Sequence, residues 1–139
     1  MAVGLFTDPI FYNIGTGDFV HSFFSTIAYR LENNNWGSRF PLLMNKLYND
    51  GGIDYTECTA VKDELLKIKN EFADLLPDKI IWDIDNLSKQ PPWQSEIAGR
   101  ITSLANYFWT SDGKDLFETF EKALNASIEI EERLIIRSL

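Results

Sequence analysis

A chain of 139 residues with 45% hydrophobic and 14% aromatic content has enough apolar material for one domain with its own core and little length for a second. Its formal net charge of −8, from 21 acidic and 13 basic side chains, disfavours direct nucleic-acid binding, because phosphate backbones require a basic footprint. The single cysteine, Cys58, rules out an intramolecular disulfide and a cysteine-rich metal site.

In chain order, residues 3–6 and 10–14 are apolar and β-favouring, and Asp8-Pro9 between them predicts a hairpin or one strand bent at the proline. Gly15-Thr16-Gly17 ends that run. From Asp18, read as an N-cap, Val20, Phe23, Phe24, Ile27, Ala28 and Leu31 recur at helical spacing and give a helix expected to lie on a sheet. Asn33-Asn34-Asn35 marks a turn. A second helix is predicted from Pro41 through Leu42, Leu43 and Leu47 to the Gly51-Gly52 break, and residues 53–55 suggest a short strand.

The strongest periodicity runs from about Thr59 to Leu76, where Val61, Leu65, Ile68, Phe72 and Leu75 lie three and four apart and Pro77 stops the helix. Residues 79–84 read as a central strand, since Ile80, Ile81, Trp82 and Ile84 offer apolar groups to both faces. Ile97, Ile101, Leu104 and Phe108 mark a further helical face. Leu116, Phe120 and Leu124 mark a last helix, capped by Ser111 or Asp112, with Asp115 a further candidate for its start, and Ile128, Ile130, Leu134 and Ile136 alternate as a closing strand. The expected fold is α+β, a single domain over residues 1–139 with a small, mainly antiparallel sheet covered by four to five helices.

Groups suited to catalysis are few. His21 is the only histidine and borders the first apolar stripe, a position more often packed or half-exposed than catalytic. Cys58 at the start of the long helix could have its pKa lowered by the helix dipole, but a lone thiol and one distant histidine make a weak dyad. Asp83 and Asp85 share a strand face if that strand extends far enough, and could hold a cation or act as an acid/base pair; followed by Asn86, they read more strongly as ordinary turn and capping residues. No phosphate loop, dinucleotide fingerprint or zinc spacing is present, so neither cofactor nor metal is expected. Trp82 is expected in the core. Trp36 and Trp93 lie in turn-rich segments where a ring could anchor a partner, although core packing competes for each. Asp83, Asp85, Asp112, Asp115, Glu118 and Glu121 would add charge steering if their segments converge.

Three stretches, SFFSTIAYRLENNNWGSRFPLLMNKLY from Ser22, PDKIIWDIDNLSKQPPW from Pro77 and NYFWTSDGKDLFETF from Asn106, together resemble the immunity protein 70 family of bacterial polymorphic-toxin and contact-dependent inhibition systems. The resemblance implies a protein that binds the C-terminal effector domain of a cognate toxin in the producer's cytoplasm. Such a protein needs a rigid scaffold, complementary charge and a few anchors, not a catalytic apparatus.

The expected function is therefore one-to-one inhibition of a toxin, with a nuclease favoured because its basic cleft would attract an acidic partner; acidity for solubility alone competes with that step. The expected docking residues are Asp83, Asp85, Trp93, Asp112, Asp115, Glu118 and Glu121. The alternative is a small hydrolase or transferase using Cys58 or Asp83/Asp85. The opening residues lack the basic start and apolar run of a signal peptide, and no stretch of about 18 apolar residues suits a membrane span, so a cytoplasmic location without membrane contact is expected.

Overall fold

The computed structural model describes residues 2–94 and 96–138. Four antiparallel strands, β1 (Ala2–Thr7), β2 (Ile10–Thr16), β3 (Gly52–Ile53) and β4 (Leu134–Ser138), form one sheet in the order β2-β1-β4-β3. The two strands before and after Asp8-Pro9 pair as a hairpin, with Leu5 opposite Tyr12 and, on its other side, Ile136. These side chains face the core, whereas Phe6, opposite Phe11 and Ile135, lies on the reverse face beneath the Arg137 guanidinium, 4.6 Å from its ring centroid. The hairpin register shifts between Val3 and Gly4. A Cβ at Gly4 would stand 2.2 Å from the Tyr12 carbonyl oxygen, so this close backbone approach admits only glycine.

Three α-helices and a π-wound helix cover the sheet, in agreement with the predicted α+β class. Helix α1 (Gly17–Thr26) begins with Thr16, whose hydroxyl accepts the Phe19 N–H at 3.1 Å. Thr16, with extended backbone, takes the capping role expected of Asp18, which lies one residue inside the helix where its charge favours the dipole. The helix widens into a π-helical turn at Ile27–Leu31, and a second π-helical segment, Leu42–Asn49, follows Pro41. Helix α2 (Cys58–Phe72) is entered through an Asp54 capping box, and helix α3 (Leu116–Ile130) starts at Asp115, which accepts the Glu118 N–H at 3.3 Å. No helix among the described residues is long and apolar enough to cross a membrane.

Several expectations are corrected. Asp115, not Ser111 or Asp112, caps α3; Ile128 and Ile130 still belong to that helix, and the closing strand begins only at Leu134. The predicted helix around Ile97 to Phe108 is reduced to a 3-10 turn at Leu104–Asn106, and residues 79–84 form no strand.

The core is aromatic. Phe23 is its centre, with the rings of Phe24, Phe72, Phe108, Phe117 and Phe120 at centroid distances of 5.1 to 6.3 Å, mostly edge-on. Such edge-to-face contacts add to the area these rings bury.

Two polar arrangements position what surrounds this core. Glu32, only 2% exposed, accepts the backbone N–H groups of Gly37, Arg39 and Phe40 at 2.9 to 3.1 Å. One carboxylate thereby folds the whole connection between the π-helical turns. Arg39 extends the link to α2 through a two-pronged pair with Glu71. The second arrangement is a row of hydroxyls on α1. Ser22, Ser25 and Thr26 are fully buried and bind the main chain of residues 81–84. Ser22 Oγ donates to the Ile81 carbonyl at 2.9 Å, Thr26 Oγ1 accepts the Ile81 N–H at 3.0 Å, and Ser25 Oγ accepts the Ile84 N–H at 3.2 Å. The segment read as a strand is thus satisfied by a helix's side chains in place of a neighbouring strand, which is why apolar character alone misassigned it.

Three outcomes follow for stability. Glu32→Ala should cost about 3–4 kcal/mol in urea unfolding, because it strands several inward-facing N–H donors at once. Thr26→Val keeps shape but leaves the Ile81 N–H without an acceptor; it should cost about 1–2 kcal/mol and speed hydrogen exchange at Ile81 and Ile84 while leaving the α3 amides protected. Glu64 accepts the Leu43 N–H at 2.9 Å, yet burial, its largest influence, pushes its carboxyl above the ordinary value. A carboxyl raised in the folded state binds its proton more tightly there than in the unfolded chain. Its ionisation therefore costs stability as pH rises from its unfolded value through its folded value. Relative to the parent, Glu64→Gln should gain stability between pH 4 and pH 7, and a pH-independent difference in urea midpoint would contradict this.

Candidate functional site

Residues 80–103 contain no helix or strand among those described. An irregular stretch of this length in a compact domain is usually tied to binding or catalysis. It is nevertheless well anchored. The α1 hydroxyls hold its beginning, the Leu104 N–H bonds the Leu75 carbonyl at its end, and Asp83 folds its first turn by accepting the Asp85 N–H at 2.9 Å.

That turn directs two carboxylates at α1. His21 Nε2 lies 3.3 Å from Asp83 Oδ1 and 3.7 Å from Asp85 Oδ2, while His21 Nδ1 lies 2.9 Å from the Tyr48 hydroxyl. Tyr48 is stacked on Phe24 at 4.2 Å, so the histidine's partner is itself fixed by the core. Lys89 Nζ stands 3.6 Å from the other Asp83 oxygen. The Asp85 N–H, with His21 and Lys89 adding to it, holds the Asp83 carboxyl below its usual range, whereas burial and both aspartates push the Tyr48 phenol up. A carboxyl held low is poorly matched to a general acid at neutral pH. As a fixed negative charge it is well matched to a cation.

Next to this pair lies an aromatic surface. Trp82 meets Trp93 edge-on at 5.4 Å, and Trp93 Nε1 donates to the Tyr107 hydroxyl at 2.6 Å. Trp93, Tyr107, Trp109, Ile97 and Ile101 line an open hollow of about 220 Å³, and the Arg100 guanidinium lies 4.4 Å from the Trp109 ring centroid. Trp36 and Trp82, like Trp93, are half-buried, and the Trp36 indole N–H is committed to the Met44 carbonyl.

The seven residues expected at the docking surface therefore fall into separate settings. Asp83 and Asp85 come together, and Trp93 adjoins them through Trp82. Asp112 sits in the turn before α3, where the Thr110 hydroxyl holds its carboxyl low, and Asp115 is the α3 cap, its carboxyl raised by burial. Glu118 and Glu121 line a second hollow, of about 230 Å³, between α2 and α3, beside Lys62, Lys69 and Leu66, which is 59% exposed. His21 and Tyr48 were missed as members of the first group. The available signal was His21-Ser22 followed by Ser25-Thr26, a polar stripe at helical spacing on an otherwise apolar helix.

Cys58 offers no comparable arrangement. Its buried thiol, donating toward the Ser127 hydroxyl at 3.5 Å, has its pKa raised chiefly by burial, and His21 is occupied elsewhere.

Comparison with known proteins returns no match among curated proteins and none among solved structures. The family model described as Immunity protein 70 matches residues 5–136, from the first strand of the sheet through the anchored segment to the last. The chain belongs to the immunity protein 70 family.

Proposed function

We propose that this protein neutralises a cognate bacterial toxin by binding the toxin's C-terminal effector domain one to one in the cytoplasm of the producing cell. The reading extends the immunity family membership. The observation that carries its location is the pair of carboxylates, Asp83 and Asp85, presented on an irregular segment that buried hydroxyls hold rigid. A preorganised surface loses little conformational freedom on binding, and negative charge there steers a basic partner. A nuclease effector, whose cleft must attract phosphate, is the partner class this charge suits best.

Within this surface Asp85 is the exposed contact and Asp83 its fixed support, with Trp93 and its neighbouring hollow as the apolar flank. Glu118 and Glu121 on α3 form a second acidic area open to the same partner, whereas Asp112 and Asp115 act first on the local fold. No enzymatic step is assigned. Asp83 is ionised too readily for acid catalysis, and Cys58 is buried and protonated, so the hydrolase or transferase alternative lacks an arranged group.

The test is co-purification with the effector domain encoded beside this chain, joined to growth rescue of cells expressing that domain. A one-to-one complex that restores growth is the expected result. Asp85→Lys should slow association and weaken the complex about 10- to 100-fold at low salt, with a smaller effect at high salt. Glu118→Lys with Glu121→Lys tests the second area. Full protection by all three charge-reversed positions combined, with unchanged association at low salt, would reject both surfaces.

A further inference from the structure

We infer that His21, Asp83 and Asp85 form a binding site for a divalent first-row transition-metal ion, with zinc as the natural probe. One possible ligand atom from each lies within 4.8 Å of those of the other two. The separations from Nε2, 3.3 and 3.7 Å, are informative. Donors about 2.0–2.2 Å from a tetrahedral ion stand about 3.3–3.6 Å from one another. The two separations from Nε2 fall in or just beyond that range, so an ion could sit between the imidazole and the two carboxylates.

The surroundings complete the arrangement. The Tyr48 hydroxyl lies 2.9 Å from His21 Nδ1 and holds the ring with Nε2 facing the two carboxylates. Metal-binding histidines are regularly oriented by such a partner on the second nitrogen. The Asp85 N–H fixes the Asp83 carboxylate, and Lys89 engages its other oxygen, so Oδ1 remains on the histidine side. Asp85, with a side chain 85% exposed, leaves the remaining coordination position facing solvent. Imidazole with carboxylates suits zinc, cobalt or nickel, whereas calcium and magnesium demand six or more mostly oxygen donors. Asp83 and Asp85 lie 62 and 64 positions after His21, so no local ligand-spacing motif joins the histidine to them.

The site shares Asp83 and Asp85 with the proposed docking surface, but ion binding requires no toxin and is tested on the isolated chain. Chelator-stripped protein is titrated with zinc by calorimetry and with cobalt by visible absorption. One saturable equivalent is expected, with a cobalt d–d band and a melting temperature raised by about 5–10 °C at free zinc near 100 times the dissociation constant. Asp85→Asn, at an exposed position, should fold normally and bind more than about tenfold more weakly, as should His21→Ala; Tyr48→Phe should lose about tenfold through the orienting bond. Absence of saturable zinc binding by the parent chain overturns the assignment. So does binding that Asp85→Asn leaves undiminished, which would place the ion elsewhere. If His21→Ala fails to fold, Asp85→Asn alone decides.

Discussion

The position of the candidate site depends on a row of three buried hydroxyls. Ser22, Ser25 and Thr26 occupy one side of α1 and take up the N–H and C=O groups that residues 81–84 would otherwise offer to a strand or to water. Because the hydroxyls are shielded from solvent, their bonds face little competition, and an unmatched group there would be costly. His21 precedes this row on the same helix. The geometry between the histidine and the two aspartates is therefore set by the single rigid body that also holds Phe23 in the aromatic core.

Glu32 performs a related task at the other end of the same helix. Its carboxylate gathers three main-chain donors from the following connection, and the bidentate Arg39–Glu71 pair ties that connection to α2. Gly37, at φ +77°, brings one of those donors inward through a left-handed conformation that glycine adopts without strain. The fold thus uses charged and hydroxylic side chains as internal scaffolding for irregular chain, and reserves aromatic packing for the layer between helices and sheet.

This division explains what could be read from sequence. The stripes on α1 and α2, the opening hairpin and the α+β class follow from apolar periodicity, which reports burial directly. The run Ile80, Ile81, Trp82, Ile84 misled because β-favouring residues report half-buried extended chain, whichever group satisfies its backbone. At Ile97 to Phe108 the spacing is helical, yet only Leu104 and Phe108 are buried; Ile97 is exposed and no continuous face forms. The α1 cap was missed by two positions and the α3 cap left open among neighbours, since Thr16, Asp18, Asp112 and Asp115 are all competent acceptors and only backbone geometry chooses among them. At the candidate site, Asp83 and Asp85 could be singled out one by one, but their approach to His21, itself 2.9 Å from Tyr48, is a tertiary fact spread across three segments.

The borders of the sheet carry a final consequence. β3 is only two residues long, and at the opposite border the Ile14 carbonyl already receives the Ser111 N–H while Asn13 bonds the Ser111 hydroxyl. The β3 border is thus too short for main-chain zippering with a foreign strand, and on β2 the Ser111 contacts interrupt the border near its end. Side chains borne on the anchored loop can be exchanged without redrawing the ladder that supports them. A scaffold of this kind can change allegiance by a handful of substitutions, keeping its frame while its specificity drifts in step with whatever it must recognise.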